Sequence, residues 1–259
     1  MIHFGPLFLP LRYNSIALIG CVLFATHGFS KPFSDLIVSS CYGRAFLSEN
    51  NGSSSKPSEI FKNHRLLFSF PYAILVSNNS YLELLNKDEI QLRVGKSSVF
   101  EFLSPTHIDV MQGSFLLYHK NHLNWKISLN DSTISLAGRA TWMIEKTKSG
   151  DLKIILLEGE GFVRLGEEEK KLNFGELLLF QTSSKNELSQ TINLELSLLL
   201  ATSKLINNYQ TDLYSKPRLV SAAKVQIVRL KRRYQALVGG TNEKSELRMW
   251  AIRNKMIKN

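Results

Sequence analysis

Between about Leu66 and Gln181, apolar and polar residues alternate in short runs. Ile90-Gln91-Leu92-Arg93-Val94 is one, Trp125-Lys126-Ile127-Ser128-Leu129 another, and Thr133-Ile134-Ser135-Leu136 a third. Successive side chains of a strand point to opposite faces, so a period of two marks one buried and one outward face. Turn formers break the runs: Asn130-Asp131, Ser149-Gly150-Asp151 and Leu165-Gly166-Glu167. Strands of about 4–7 residues at this spacing predict an all-β domain of about ten strands, whose edges must be covered or closed.

After Gln181 the period changes. Leu194, Leu198, Ala201 and Leu205 recur at helical spacing, which predicts a helix within 190–209. Lys216-Pro217 restarts the chain. Val220, Ala223, Ile227, Leu230, Tyr234 and Leu237 then follow at alternating spacings of three and four, a two-in-seven seam. Gly239-Gly240 ends that helix, and Asn242 caps another carrying Leu247, Trp250, Ala251 and Ile257. The expectation for 217–259 is a basic helical hairpin.

The first thirty residues read as an export signal. Arg12 is their only Lys, Arg, Asp or Glu, and the apolar run from Ile16 to Ala25 is the length of a signal core and too short to span a bilayer. Gly28 and Ser30 supply small residues for cleavage before Lys31. The apolar Leu7-Phe8-Leu9 keeps an uncleaved anchor open. Leu18-Ile19-Gly20-Cys21 also has the form of a lipidation box; because Val22-Leu23-Phe24 continues the apolar run, Cys21 reads first as part of the signal core. Cleavage would leave Cys41 alone, so no structural disulfide is expected. Residues 31–65 read as a partly flexible N-terminal segment with a polar loop over 48–59, and 66–182 as the β domain.

Within that domain a series of motifs resembles the FecR domain, the periplasmic β module of iron-dicitrate sensor-type proteins. The resemblance runs through Leu92-Arg93-Val94-Gly95-Lys96-Ser97-Ser98, Met111-Gln112-Gly113-Ser114-Phe115-Leu116, Leu136-Ala137-Gly138-Arg139, Leu156-Leu157-Glu158-Gly159-Glu160-Gly161 and Leu172-Asn173-Phe174-Gly175-Glu176. Gly138-Arg139 departs from the family's Gly-Thr. The resemblance implies a mainly β fold, a FecR-like solenoid or twisted β-sandwich of short strands, followed by a C-terminal α-helical region. In it, Gly95, Gly113, Gly138, Gly159 and Gly175 are structural, set where one strand gives way to the next. The expected form is stand-alone and exported, without the anti-sigma and signalling modules, so the sigma-regulating role is not carried over. The stretch Leu199-Leu200-Ala201-Thr202-Ser203-Lys204-Leu205-Ile206 is similar to the leucine-rich segment that follows the β domain in stand-alone members.

Charge divides the chain sharply. Residues 216–259 hold twelve Lys and Arg against Glu243 and Glu246, and this surplus equals the whole chain's net charge of +10. The preceding part is neutral. Lys224, Arg229, Lys231, Arg232 and Arg233 are the candidate residues for an acidic partner.

Candidate chemistry is sparse. His119 and His122 could share a metal but lack an evident third ligand, and a solvated hairpin tip is the favoured reading. Asp109 reads as a strand-end side chain. Glu158, Glu160, Glu167, Glu168 and Glu169 form acidic hairpins, the only feature that would suit glycan chemistry. Cys41 shows no sign of activation. No catalytic residue, cofactor or metal is predicted.

The expectation is therefore a non-enzymatic envelope sensor or interaction scaffold in the periplasm or outer envelope, with exposed strand edges open to β-addition. Its partner would be a protein, or an anionic membrane or polymer surface, with self-association through the helical seam as a further option. A glycan-binding or glycan-processing role is the alternative. A nucleic-acid-binding role stands last, because it requires that the N-terminus not be an export signal.

Overall fold

In a computed structural model of the chain, the described residues are 36–49, 57–66, 70–87, 90–182 and 187–233. The expected export signal, Cys21 and everything from Tyr234 onward, including Gly239-Gly240 and the second helix of the hairpin, lie outside them. In chain order the elements are β1 (Leu36–Tyr42), β2 (Ala45–Glu49), β3 (Ser58–Glu59), β4 (Arg65–Leu66), β5 (Tyr72–Val76), β6 (Tyr81–Leu85), β7 (Ile90–Val94), β8 (Ser98–Ser104) and β9 (His107–His119). They continue with β10 (Leu123–Leu129), β11 (Ser132–Gly138), β12 (Ala140–Lys146), β13 (Leu152–Gly159), β14 (Gly161–Leu165), β15 (Glu168–Leu172), β16 (Glu176–Gln181), β17 (Glu187–Leu188) and β18 (Ile192–Asn193). Three helices follow: α1 (Leu196–Thr202), α2 (Lys204–Asn207) and α3 (Lys216–Arg233). The protein is mainly β with a short C-terminal helical region, as the residue patterns predict.

The strands form two layers. The first runs β4-β1-β6-β7-β9-β12-β13-β16 and ends on β17 and β18. The second runs β3-β2-β5-β8-β9-β10-β11-β14-β15. All pairings are antiparallel except β9 with β10. Strands of the expected N-terminal segment, β1 and β2, take their places in both layers, so the β structure begins well before Leu66.

Strand β9 belongs to both layers and joins them. Its first half pairs with β8, and its second half, from Gly113, pairs with β12 and β7. The crossing occurs at Gly113, whose φ of +93° suits glycine alone and whose position would put a Cβ 2.5 Å from the Ser98 backbone. Between the layers lies one large apolar core. It includes Ile90, Leu92, Val94 and Trp142 from the first layer and Ile74, Phe100, Trp125, Ile127 and Ile134 from the second. Phe100 and Phe115 meet across it with ring centroids 6.1 Å apart.

A second apolar cluster sits on the other side of the first layer. Leu116, Met143, Ile155, Leu157 and Leu177 face outward from the strands and are covered by Leu196, Leu199, Leu205, Leu213, Leu219 and Ala223 of the helical region. That layer is therefore buried on both faces, and the second layer on one.

Candidate interaction faces and the anchors between them

The segment that carries the helices is held to the first layer by buried polar side chains. Glu83 on β6 and Arg93 on β7 are direct cross-strand partners. Their neighbours Leu82, Leu84, Leu92 and Val94 point into the core, so the alternation sends Glu83 and Arg93 outward together. The Arg93 Nε donates to Glu83 Oε1 at 2.7 Å, and both side chains are fully buried. The rest of the guanidinium is spent on backbone: Nη1 donates to the carbonyls of Leu205 at 3.3 Å and Ile206 at 2.8 Å, and Nη2 to that of Thr211. The Tyr209 ring lies 4.5 Å from the guanidinium, and its hydroxyl donates to the Val94 carbonyl at 2.9 Å. Burial pushes the Tyr209 pKa up, so the phenol stays protonated.

Glu83 is equally well satisfied. Its second oxygen accepts from Ser39 Oγ at 2.6 Å and from Thr211 Oγ1, and Oε1 also accepts from Gln91 Nε2 at 2.8 Å. Gln91 in turn accepts from the Tyr214 backbone N–H at 2.9 Å and donates to the Asp212 carbonyl. Residues 205–214 thus form a strap clamped over β6 and β7 by three polar side chains.

Helix α3 is seated by a second set. Arg218 donates to the two Glu158 carboxylate oxygens at 3.1 and 3.2 Å, while Thr141 Oγ1 donates to Glu158 at 2.8 Å. The Arg218 guanidinium also lies 5.3 Å from the Tyr118 ring. Further along, the amide of the fully buried Gln226 fills a gap between three chain segments: Oε1 accepts from the Leu196 N–H at 2.9 Å, and Nε2 donates to the carbonyls of Leu194 at 2.7 Å and Gly175 at 3.2 Å. A Cβ on Gly175, whose φ is +78°, would lie 1.8 Å from the Gln226 amide nitrogen.

The five cationic candidates separate into different roles. Arg229 is turned to the body: Nη2 donates to the Phe174 carbonyl at 3.0 Å, and the guanidinium lies 4.9 Å from the Phe174 ring. Lys224 is exposed. Lys231, Arg232 and Arg233 form the last residues of α3, with side chains outside the described set. The helix also differs in phase from the expected seam. Leu219, Ala223, Gln226 and Leu230 are the residues it buries, and Val220 faces outward at 47% exposure. Phase was misjudged because a glutamine, not an apolar residue, occupies one of the four inward positions.

The outer face of the second layer carries no such cover from the helices, which bury their apolar side chains over the first. Phe46, Leu75 and Val99 stand in one cross-strand row on β2, β5 and β8, and Met111 lies where the β8–β9 register shifts. Leu75, Leu103 and Met111 are exposed. The neighbouring row places Glu101 opposite Asp109 and Asp109 opposite Ser128. His107 Nε2 is 2.7 Å from Ser128 Oγ, which is 3.2 Å from Thr133 Oγ1, a hydrogen-bonded chain across the open sheet. Burial and Lys126 hold the His107 pKa down, opposed by Asp109.

Strand edges are a poorer binding surface than expected. At the ends of the layers, β3, β4, β17 and β18 each have two residues, and β15 is the charged stretch Glu168-Glu169-Lys170-Lys171-Leu172. Very short or charged edges discourage addition of another strand.

The remaining candidates do not converge. His119 is buried at the end of β9 with Nδ1 2.6 Å from the Asn121 carbonyl oxygen, and His122 is exposed. Among the described residues no three His, Cys, Asp or Glu are grouped to hold a metal ion. Glu158 is buried beneath Arg218, while Glu160 lies exposed in the short link between β13 and β14, so the two do not form a solvent-facing carboxylate pair. Glu168 and Glu169 pair with Lys170 and Arg164 on β15 and β14. Cys41 is half-buried, and burial, with Glu59 nearby, pushes its thiol pKa up and keeps it unreactive.

Fold and faces define a two-layer β protein with a helical cover locked onto one layer. No family model matches the chain, and no curated protein matches it. Two crystal structures of candidate anti-sigma factors from Parabacteroides distasonis are similar in fold. The first aligns with a TM-score of 0.40 at 10% identity, covering 50% of this chain and 64% of its own. The second aligns with a TM-score of 0.38 at 12% identity, covering 47% of this chain and 59% of its own. The chain thus spans about three fifths of the length of these structures.

Proposed function

We propose that the protein is a non-catalytic sensor or interaction scaffold of the bacterial cell envelope, built on a FecR-like β module and exported by residues 1–30. The observation that carries this reading is the inequality of the two outer faces. Three buried polar clusters, around Arg93, Glu158 and Gln226, fix the helical cover to the first layer. The second layer keeps an open row of apolar side chains, Phe46, Leu75 and Val99 with Met111 beside them, next to the acidic Glu101 and Asp109. A rigid sheet offering apolar residues edged by carboxylates suits a protein partner that presents apolar residues beside a basic one. The order of the FecR-like motifs, and the fall of their glycines at strand ends and at the β9 crossing, support the family reading.

The test is site-specific photo-crosslinking in cells from position 75 or 111. A discrete adduct with an envelope protein is expected from both, and its loss in a Leu75→Asp, Met111→Asp double variant that melts like the parent. Adducts that persist in that variant, or that form with cytosolic proteins only, overturn the reading. Cell fractionation provides the companion measurement: the protein should leave the cytosol only when residues 1–30 are present.

A further inference from the structure

We infer that the outward side of α3, together with the basic chain that follows it, is a binding surface for an anionic lipid bilayer. The helix gives its inward side to the β body through Leu219, Ala223, Gln226 and Leu230. On the other side Val220, Val225 and Val228 are 47%, 56% and 53% exposed, with Lys224 exposed among them. Single exposed apolar residues are ordinary on a protein surface. Three within about two turns of one helix, interleaved with lysine, make the mixed face of a helix that lies in the headgroup region.

Charge selects the occupant. Helix α3 contains no Asp or Glu, and its last turn, Lys231-Arg232-Arg233, leads into a segment that brings residues 216–259 to the full net charge of +10. Arg218 and Arg229 are already spent on Glu158 and the Phe174 carbonyl, so they anchor the helix and are not needed for binding. A lipid surface can satisfy valines and cations at once, because headgroup charge lies a few ångströms above acyl chain. The chain's own C-terminal segment fits less well. Folding back at Gly239-Gly240 would set Arg248 level with Lys231 and Lys255 level with Lys224, like charge against like.

Co-sedimentation of the full chain with vesicles tests the proposal. Vesicles of phosphatidylcholine with phosphatidylglycerol should bind at least about tenfold more tightly than phosphatidylcholine alone, and the difference should shrink as salt rises from about 0.05 to 0.5 M. Two outward-face variants, Lys224→Glu with Lys231→Glu and Val225→Asp with Val228→Asp, should each lower that binding at least about tenfold. Both should leave thermal unfolding of the β body unchanged. Equal binding to the two vesicle types would assign attachment to the apolar segment near residues 16–25 and overturn the proposal. Parent-like binding by either variant would do the same, and so would competition by polyglutamate that ignores the valines. A Val228→Cys variant covers the remaining occupant. Its thiol should react faster than those of the parent without vesicles and be protected by phosphatidylglycerol vesicles. Protection before any vesicle is added would show the C-terminal segment already seated there, and overturn the lipid assignment.

Discussion

Arg93 shows how much one residue can hold. It is a fully buried cation with a carboxylate at 2.7 Å and three backbone carbonyls of the strap on its other donors. A buried ion pair adds little net stability against an apolar replacement of the same shape, but losing one partner strands the other charge. Glu83→Ala is therefore expected to cost about 3–5 kcal/mol in denaturant unfolding, whereas Glu83→Leu with Arg93→Leu should cost clearly less than its two single changes combined. The double variant should still free the strap, seen as new proteolytic cleavage within 205–214. In the sequence, Arg93 is visible only as part of a motif and as the polar half of an alternating strand, which reads as a solvated position. Its real partners lie more than 110 residues away, and no local pattern announces them. His119 gives a pH signature at the same scale. Burial lowers its pKa from the ordinary 6.5, opposed by the Asn121 carbonyl and reinforced by His122. Its Nε2 has no partner among the described residues. The unfolded chain binds the proton more readily, so the stability owed to neutral His119 is complete above about pH 6.5 and is lost as pH falls below it. The urea midpoint of His119→Phe should decline less between pH 7 and 5 than that of the parent, a difference read from paired titrations.

At the scale of elements, α3 was legible as a helix but not as to which side it buries. Spacing identified Ala223 and Leu230 correctly as inward, yet Val220 looks outward and Gln226 looks in. Hydrophobic periodicity weighs only apolar residues, and Gln226 is buried because its amide satisfies the Leu196 N–H and the Leu194 and Gly175 carbonyls, groups left over where β18 meets α1. Gln226→Leu keeps the volume but orphans them, at an expected cost of about 1–3 kcal/mol. Hydrogen exchange should quicken at Leu196 and through α3 ahead of the β core. Gly175→Ala attacks the same joint from below. It introduces a Cβ 1.8 Å from the amide nitrogen at a φ of +78°, and should destabilise by about 2–4 kcal/mol. Adding Gln226→Ala should restore only part of that loss, since the backbone strain remains.

For the molecule as a whole, the mainly β class and the helical end follow from the change of period near Gln181, but the two-layer arrangement does not. Strand pairing is non-local: β1 pairs with β6, and β9 serves both layers. Nothing in a single run of residues encodes that crossing beyond Gly113. The arrangement settles what the helices do. The first layer presents Leu116, Met143, Ile155, Leu157 and Leu177 on its outer face, and the helical region is their only described cover. Those strands read as near-continuous apolar runs, such as Ile154-Ile155-Leu156-Leu157 on β13, the pattern of a sheet buried on both sides. A chain stopped after Gln190 should therefore keep its β circular-dichroism signal, bind a hydrophobic dye strongly and self-associate in ultracentrifugation. The open second layer cannot produce that contrast, since it is present in both forms. If the shortened chain instead stays monomeric and dye-silent, the helices are an accessory rather than half of the fold, and the outer face of the first layer becomes a second candidate contact surface.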